Sequence, residues 1–88
     1  MKVINKIPKL KPIYRLQWES AQDCFVLLYP EGMVKLSQSA GEIMKRINGS
    51  SNVTAIVESL EAAFPGAELR NDVISFLSDA ENNGWIDY

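Results

Sequence analysis

Nucleophilic catalysis needs a base beside the nucleophile, and this 88-residue sequence has no histidine to serve as one. Its single cysteine, Cys24, therefore has no imidazole partner and cannot form an internal disulfide. Lying inside the apolar run "CFVLLY", it reads as a small buried hydrophobe. The serines lack a base, and there is no Ser-x-x-Lys motif. One cysteine and no histidine exclude nearly every transition-metal site, and the carboxylates do not follow an EF-hand spacing. The acid pairs Glu58/Glu61 and Asp79/Glu81 fall on the expected solvent faces of helices. No glycine-rich phosphate loop is present, since the five glycines read as turn, hairpin-bulge and helix-end residues. The expectation is a protein with no catalytic residues, no metal and no cofactor.

The most informative stretch is instead "LLYPEGMVKL", residues 27–36. Pro30 suits the second position of a type I turn, and Gly32 suits the left-handed residue of a bulged hairpin. The returning strand, Met33, Val34, Lys35 and Leu36, is short and apolar apart from one charge. Met33 and Lys35 point one way, and Val34 and Leu36 the other. Exposed edges are normally blunted by charge, proline or bulges. An edge this apolar is either covered, by the N-terminal segment or by a second copy of the chain, or is built to accept a guest strand.

The elements that carry this edge follow from periodicity. Residues 1–12, with Pro8 and Pro12 around "KLK", read as an extended N-terminal arm open to mobility. From residue 13 to 88 the pattern is one domain. "IYRLQW" alternates, with Tyr14, Leu16 and Trp18 on one face, and reads as a half-buried strand. "CFVLLY" is apolar on both faces, as a central strand should be. Three helices follow. The first is capped by Ser37 or Ser39, with Ala40, Ile43, Met44 and Ile47 inward. The second is capped by Ser51 or Asn52 and carries an apolar stripe of Val53, Ile56, Val57, Leu60 and Phe64. The third opens near Asn71 and ends at Gly84, with Val73, Phe76, Leu77 and Ala80 on one face. The tail "WIDY" is extended. The fold class is α+β: an N-terminal three-stranded antiparallel sheet followed by three helices, similar in outline to a winged helix-turn-helix. The two tryptophans, Trp18 and Trp85, are expected to pack.

Charge restricts the partners. Residues 1–18 hold five basic and no acidic side chains, whereas residues 50–88 hold only Arg70 against seven acids. A DNA-binding winged helix, the alternative from another class, needs a basic recognition helix. No apolar run approaches the roughly 20 residues that span a bilayer, and the N-terminus lacks the pattern of a secretory signal. A cytoplasmic protein with no nucleic-acid or membrane partner is expected.

Several short motifs, in order, carry a family resemblance: "RLQWE" (15–19), "LLYPEG" (27–32), "VKL" followed by Ser37, and "GWI" (84–86). Together they resemble the PqqD family of pyrroloquinoline quinone biosynthesis, over about residues 14–86. The resemblance implies a recognition domain for ribosomally made, later modified peptides. It would be a chaperone that binds the precursor peptide PqqA and presents it to the radical SAM enzyme PqqE. It further implies that the peptide adds as a strand to Met33, Val34, Lys35 and Leu36. The groove would be completed by residues among Asp72, Val73, Phe76, Leu77 and Ala80 of the third helix. The remaining alternative is a self-associating domain, a homodimer in which a second copy fills the edge.

Overall fold

The computed structural model describes residues 2–88; Met1 lies outside the described residues. Strands β1 (Lys9–Leu10), β2 (Arg15–Glu19), β3 (Cys24–Tyr29) and β4 (Gly32–Lys35) are followed by helices α1 (Gln38–Met44), α2 (Val53–Ala63) and α3 (Arg70–Asn82), then strand β5 (Ile86–Asp87). The expected meander is present: an antiparallel sheet in the order β2-β3-β4. Alternation along the strands sets its inner face. Leu16 and Val34 flank Leu27 in register, and Leu27 is fully buried. Leu27 and Leu36 meet Ile43 and Met44 of α1, Ile56 and Leu60 of α2, and Val73, Leu77 and Ala80 of α3 in one core.

The hairpin between β3 and β4 is tighter than a bulged turn. Tyr29 sits opposite Gly32, so only Pro30 and Glu31 bridge the strands. Gly32, at φ 157°, lies toward extended backbone and not in the left-handed region that a bulge requires. Cys24 is half-buried, not buried. It opens β3 and alternates with Phe25, which puts it on the sheet face away from the helices. Asp23, just before it, takes the left-handed conformation (φ 55°) that Asp tolerates better than most residues.

The helices start where short polar side chains replace the missing backbone partners. Ser37, and not Ser39, caps α1, its hydroxyl accepting from the Ala40 amide at 3.1 Å. Asn52 caps α2 by accepting from the Ala55 amide at 2.8 Å. Gly41 is inside α1 and not at a helix end. A methyl group there would lie 2.9 Å from Cδ2 of Phe25, so glycine allows α1 to rest directly on β3. α3 closes with Gly84 at φ 77°: the Gly84 amide donates to the Glu81 carbonyl, and the Trp85 amide to that of Ala80. These two bonds define a Schellman ending, which reverses the chain into β5.

Residues 1–12 read from the sequence as an extended arm. In the structure, residues 3–10 bind the body on two sides. Val3–Asn5 forms a 3-10 turn against α2. The Lys6 carbonyl accepts from the Val53 amide at 3.0 Å, and the Ile4 carbonyl accepts from Oγ1 of Thr54 at 3.0 Å. Pro8 is fully buried. β1 then pairs antiparallel with β5, Leu10 opposite Ile86, and the Lys11 amide donates to the Trp85 carbonyl at 2.9 Å.

Candidate functional site

β4 has one committed side and one open side, and its register says which residues face each. The Leu36 amide donates to the Phe25 carbonyl at 3.0 Å. In an antiparallel pair, backbone groups turn toward the partner strand at every second residue. Gly32, Val34 and Leu36 therefore direct their N–H and C=O groups at β3. Met33 and Lys35 direct theirs outward, and among the described residues no strand pairs with that side. Their side chains are exposed on the outer sheet face, whereas Val34 is half-buried and Leu36 is in the core. The four residues named from the sequence thus divide by function: two present hydrogen-bonding groups, and two anchor the strand.

Ser37, which follows the strand, caps α1 and also lines an open depression of about 900 Å³ between α1, the C-terminal end of α2 and α3. Its apolar lining comes from Ile43, Leu60, Phe64, Val73 and Phe76, and Asp72 and Asp79 stand along it. On α3, Asp72, Phe76 and Asp79 share one face by helical spacing; Val73, Leu77 and Ala80 share the adjoining one. The structure brings Asp72, Val73 and Phe76 together along the depression. Leu77 and Ala80 do not join them: both are fully buried in the core and offer no surface to a guest. The apolar face expected of Val73, Phe76, Leu77 and Ala80 thus divides between the core and the depression.

Phe64 is a lining residue that the helical stripe had assigned to the core. It sits at the end of α2 with φ −125° and ψ 74°, is 43% exposed, and lines the depression. The signal was in the sequence: a residue before proline is disfavoured in helical conformation, and Pro65 follows it. Leu60 and Ile43, expected only as core, also reach the lining.

The electrostatics of the depression are acidic. Glu42 is engaged on α1, 2.9 Å from the Arg46 guanidinium and 3.4 Å from Lys45. The hydrogen bond from Arg46, assisted by Lys45, holds its carboxyl below the ordinary value of 4.5. Glu61 accepts from the Leu69 amide at 2.9 Å and so fixes the turn into α3. Among the described residues Asp72 and Asp79 make no ion pair, and no basic residue lines the depression.

Trp18, expected to pack, stacks edge-on against Phe25 at 5.0 Å but remains 49% exposed. It lies on edge strand β2; Trp85 is half-buried against the core. Among the described residues no group of three or more His, Cys, Asp or Glu side chains is arranged to hold a metal ion, and no helix is long and apolar enough to cross a membrane.

Comparison with known proteins adds three findings. The family model described as Coenzyme PQQ synthesis protein D (PqqD) matches residues 24–86. Among curated proteins, a "PqqA binding protein" of Azotobacter vinelandii is 46% identical over 85 residues, covering 96% of this chain and 92% of its own. One of the same name from Pseudomonas aeruginosa is 47% identical over the same shares, and one from Methylococcus capsulatus is 44% identical over 78 residues, 89% of this chain and 84% of its own. Among solved structures, the solution structure of the PqqD part of Methylobacterium extorquens PqqCD superposes with a TM-score of 0.80. It covers 97% of this chain and 93% of that one at 21% identity, and is described as a stand-alone recognition element for ribosomally synthesised, modified peptides. At that identity the match establishes a shared fold.

Proposed function

This chain belongs to the PqqD family, and on that premise we propose that it is a non-catalytic adaptor for the precursor peptide PqqA. It binds PqqA by strand addition to β4 and presents it to the radical SAM enzyme PqqE. The relatives' common name supports the peptide partner. The observation that most supports the mode of binding is the unpaired side of β4, where Met33 and Lys35 turn two N–H and two C=O groups outward, Lys35 two residues before Ser37, which lines the depression.

Backbone pairing gives affinity with little dependence on sequence, and side chains entering pockets give selectivity. Here the ladder is short, so the depression must supply much of the binding. Its apolar lining, with Phe64 and Phe76 half-open to solvent, accepts apolar side chains of the guest. Asp72 and Asp79 favour a guest segment without carboxylates at that end. A bound peptide also removes the liability of an apolar edge.

The test is a titration of isotope-labelled protein with a synthetic PqqA peptide, followed by backbone amide NMR. Shifts are expected at Met33, Lys35, Phe64 and Phe76. Saturating binding that leaves Met33 to Leu36 unshifted would refute strand addition. The hand-over is tested separately, by co-sedimentation with PqqE: no three-component complex in the presence of PqqA counts against it. Sedimentation of the free protein at micromolar concentration tests the competing homodimer, which a peptide-excluding dimer would favour.

A further inference from the structure

The depression opens at one end of a helical hairpin, and the N-terminal segment closes the other end. α2 and α3 are consecutive, joined by residues 64–69. The lining uses the C-terminal end of α2 (Leu60, Phe64) and the N-terminal two-thirds of α3 (Asp72 to Asp79). The opposite end of the hairpin has no loop to hold it, because the start of α2 and the end of α3 are far apart in the chain. There the N-terminal segment bridges them. It meets the start of α2 through Lys6 and Ile4, whose carbonyls accept from the Val53 amide and the Thr54 hydroxyl. It meets the end of α3 through β1, which pairs with β5 only four residues beyond the last residue of α3, and through the Lys11 amide on the Trp85 carbonyl. Lys6 additionally lies 5.1 Å from the Tyr88 ring centroid, and Pro8 between the two attachments is fully buried. A two-residue ribbon has little stability alone; β5 is held by Ile86, fully buried in the core, and by β1, whose own anchor is α2.

We propose that residues 3–11 are a positioning clasp for the peptide site: they set the placement of α3 relative to α2, and thereby peptide affinity, without touching the peptide. None of them lines the depression. This rests on the peptide-binding reading above and adds a second element to it, distant from the site. Without the clasp, α3 remains attached by Val73, Leu77 and Ala80, and β5 by Ile86, but the C-terminal end of α3 loses its tie to the start of α2, and the spacing between Phe64 and Phe76 is held less tightly. If the groove were then in its binding form about a tenth of the time, affinity would fall about tenfold.

Two variants test this. One lacks residues 2–11; the other is Lys11→Pro, which removes the amide that donates to Trp85. Affinity for a synthetic PqqA peptide is measured by calorimetry well below the unfolding temperature, with amide hydrogen exchange of residues 72–79 followed in the unliganded protein. The expected result is a loss of about tenfold for the truncation and a smaller loss for Lys11→Pro, each with faster exchange in 72–79. Wild-type affinity in a folded truncation would overturn the proposal. Weaker binding with unchanged exchange would also overturn it, since that means direct contact with the peptide. If the truncation does not fold, Lys11→Pro decides on the same two readouts. If the intact protein binds no peptide, the peptide-binding reading has failed, and the exchange rates still show whether residues 3–11 hold α3.

Discussion

Proline at position 35 separates strand addition from every other way of using this surface. The Lys35 amide points away from β3, so Lys35→Pro removes an outward donor and leaves intact the hairpin bonds made by Val34 and Leu36. Proline is tolerated on an edge strand when its missing N–H faces solvent. The free protein should therefore unfold within about 0.5 kcal/mol of wild type, as surface changes usually do. In the complex, one backbone hydrogen bond is lost, worth about 1 kcal/mol, and the guest carbonyl left without a donor adds a comparable penalty. Together about 2 kcal/mol corresponds to a roughly 30-fold weaker Kd. Lys35→Gln, which keeps the amide and removes the charge, is the control and should bind within about threefold of wild type, since an exposed charge contributes little. Val34→Pro behaves differently: its amide faces Leu27, so it damages the hairpin itself and costs roughly 1–3 kcal/mol of stability. Calorimetric titration with PqqA peptide and urea denaturation measure both quantities. Unaltered affinity in a fully folded Lys35→Pro protein refutes pairing at β4.

Neighbouring α3 positions should separate binding from stability: Phe76→Ala weakens peptide binding with a modest loss of stability, whereas the fully buried Leu77→Ala costs about 2–5 kcal/mol in denaturant unfolding. Gly41→Ala should destabilise by about 1 kcal/mol, because the new methyl group meets Phe25 at 2.9 Å and the overpacking outweighs the gain in helix propensity; a higher melting temperature would show that Phe25 yields freely. Glu42 has a carboxyl pKa lowered by Arg46, so its contribution to stability is present above its unfolded value of 4.5 and is lost as pH falls below that through the folded value. Glu42→Gln should accordingly flatten the acid limb of the stability curve and leave its slope near neutrality unchanged.

Much of the fold could be read from local pattern. Alternation marked β2, an unbroken apolar run marked β3 as central, and Pro30 with Gly32 marked the hairpin. Ser37 and Asn52 were among the expected caps, and Gly84 the expected stop. These succeed because the forces are local: side-chain alternation, missing amide partners at helix starts, and the freedom of glycine at positive φ. The family, too, could be identified from short motifs in order.

What only the tertiary structure decided depends on direction and on distant neighbours. Alternation predicts two faces for Met33, Val34, Lys35 and Leu36, but which amides turn outward depends on pairing with β3, set by the two-residue turn. Apolar spacing on α3 cannot distinguish a residue against the core from one beside an open depression, so Leu77 and Ala80 went inward while Phe76 stayed on the groove. The N-terminal segment was the least legible of all. A prolines-and-lysines stretch has no periodicity, and β1 exists only because β5, more than seventy residues later, returns beside it. The sequence by itself determined the three-stranded sheet, the three helices, the family and the apolar character of the edge. Packing decided which backbone groups of β4 remain available and which α3 side chains line the depression, because both depend on contacts between residues far apart in the chain.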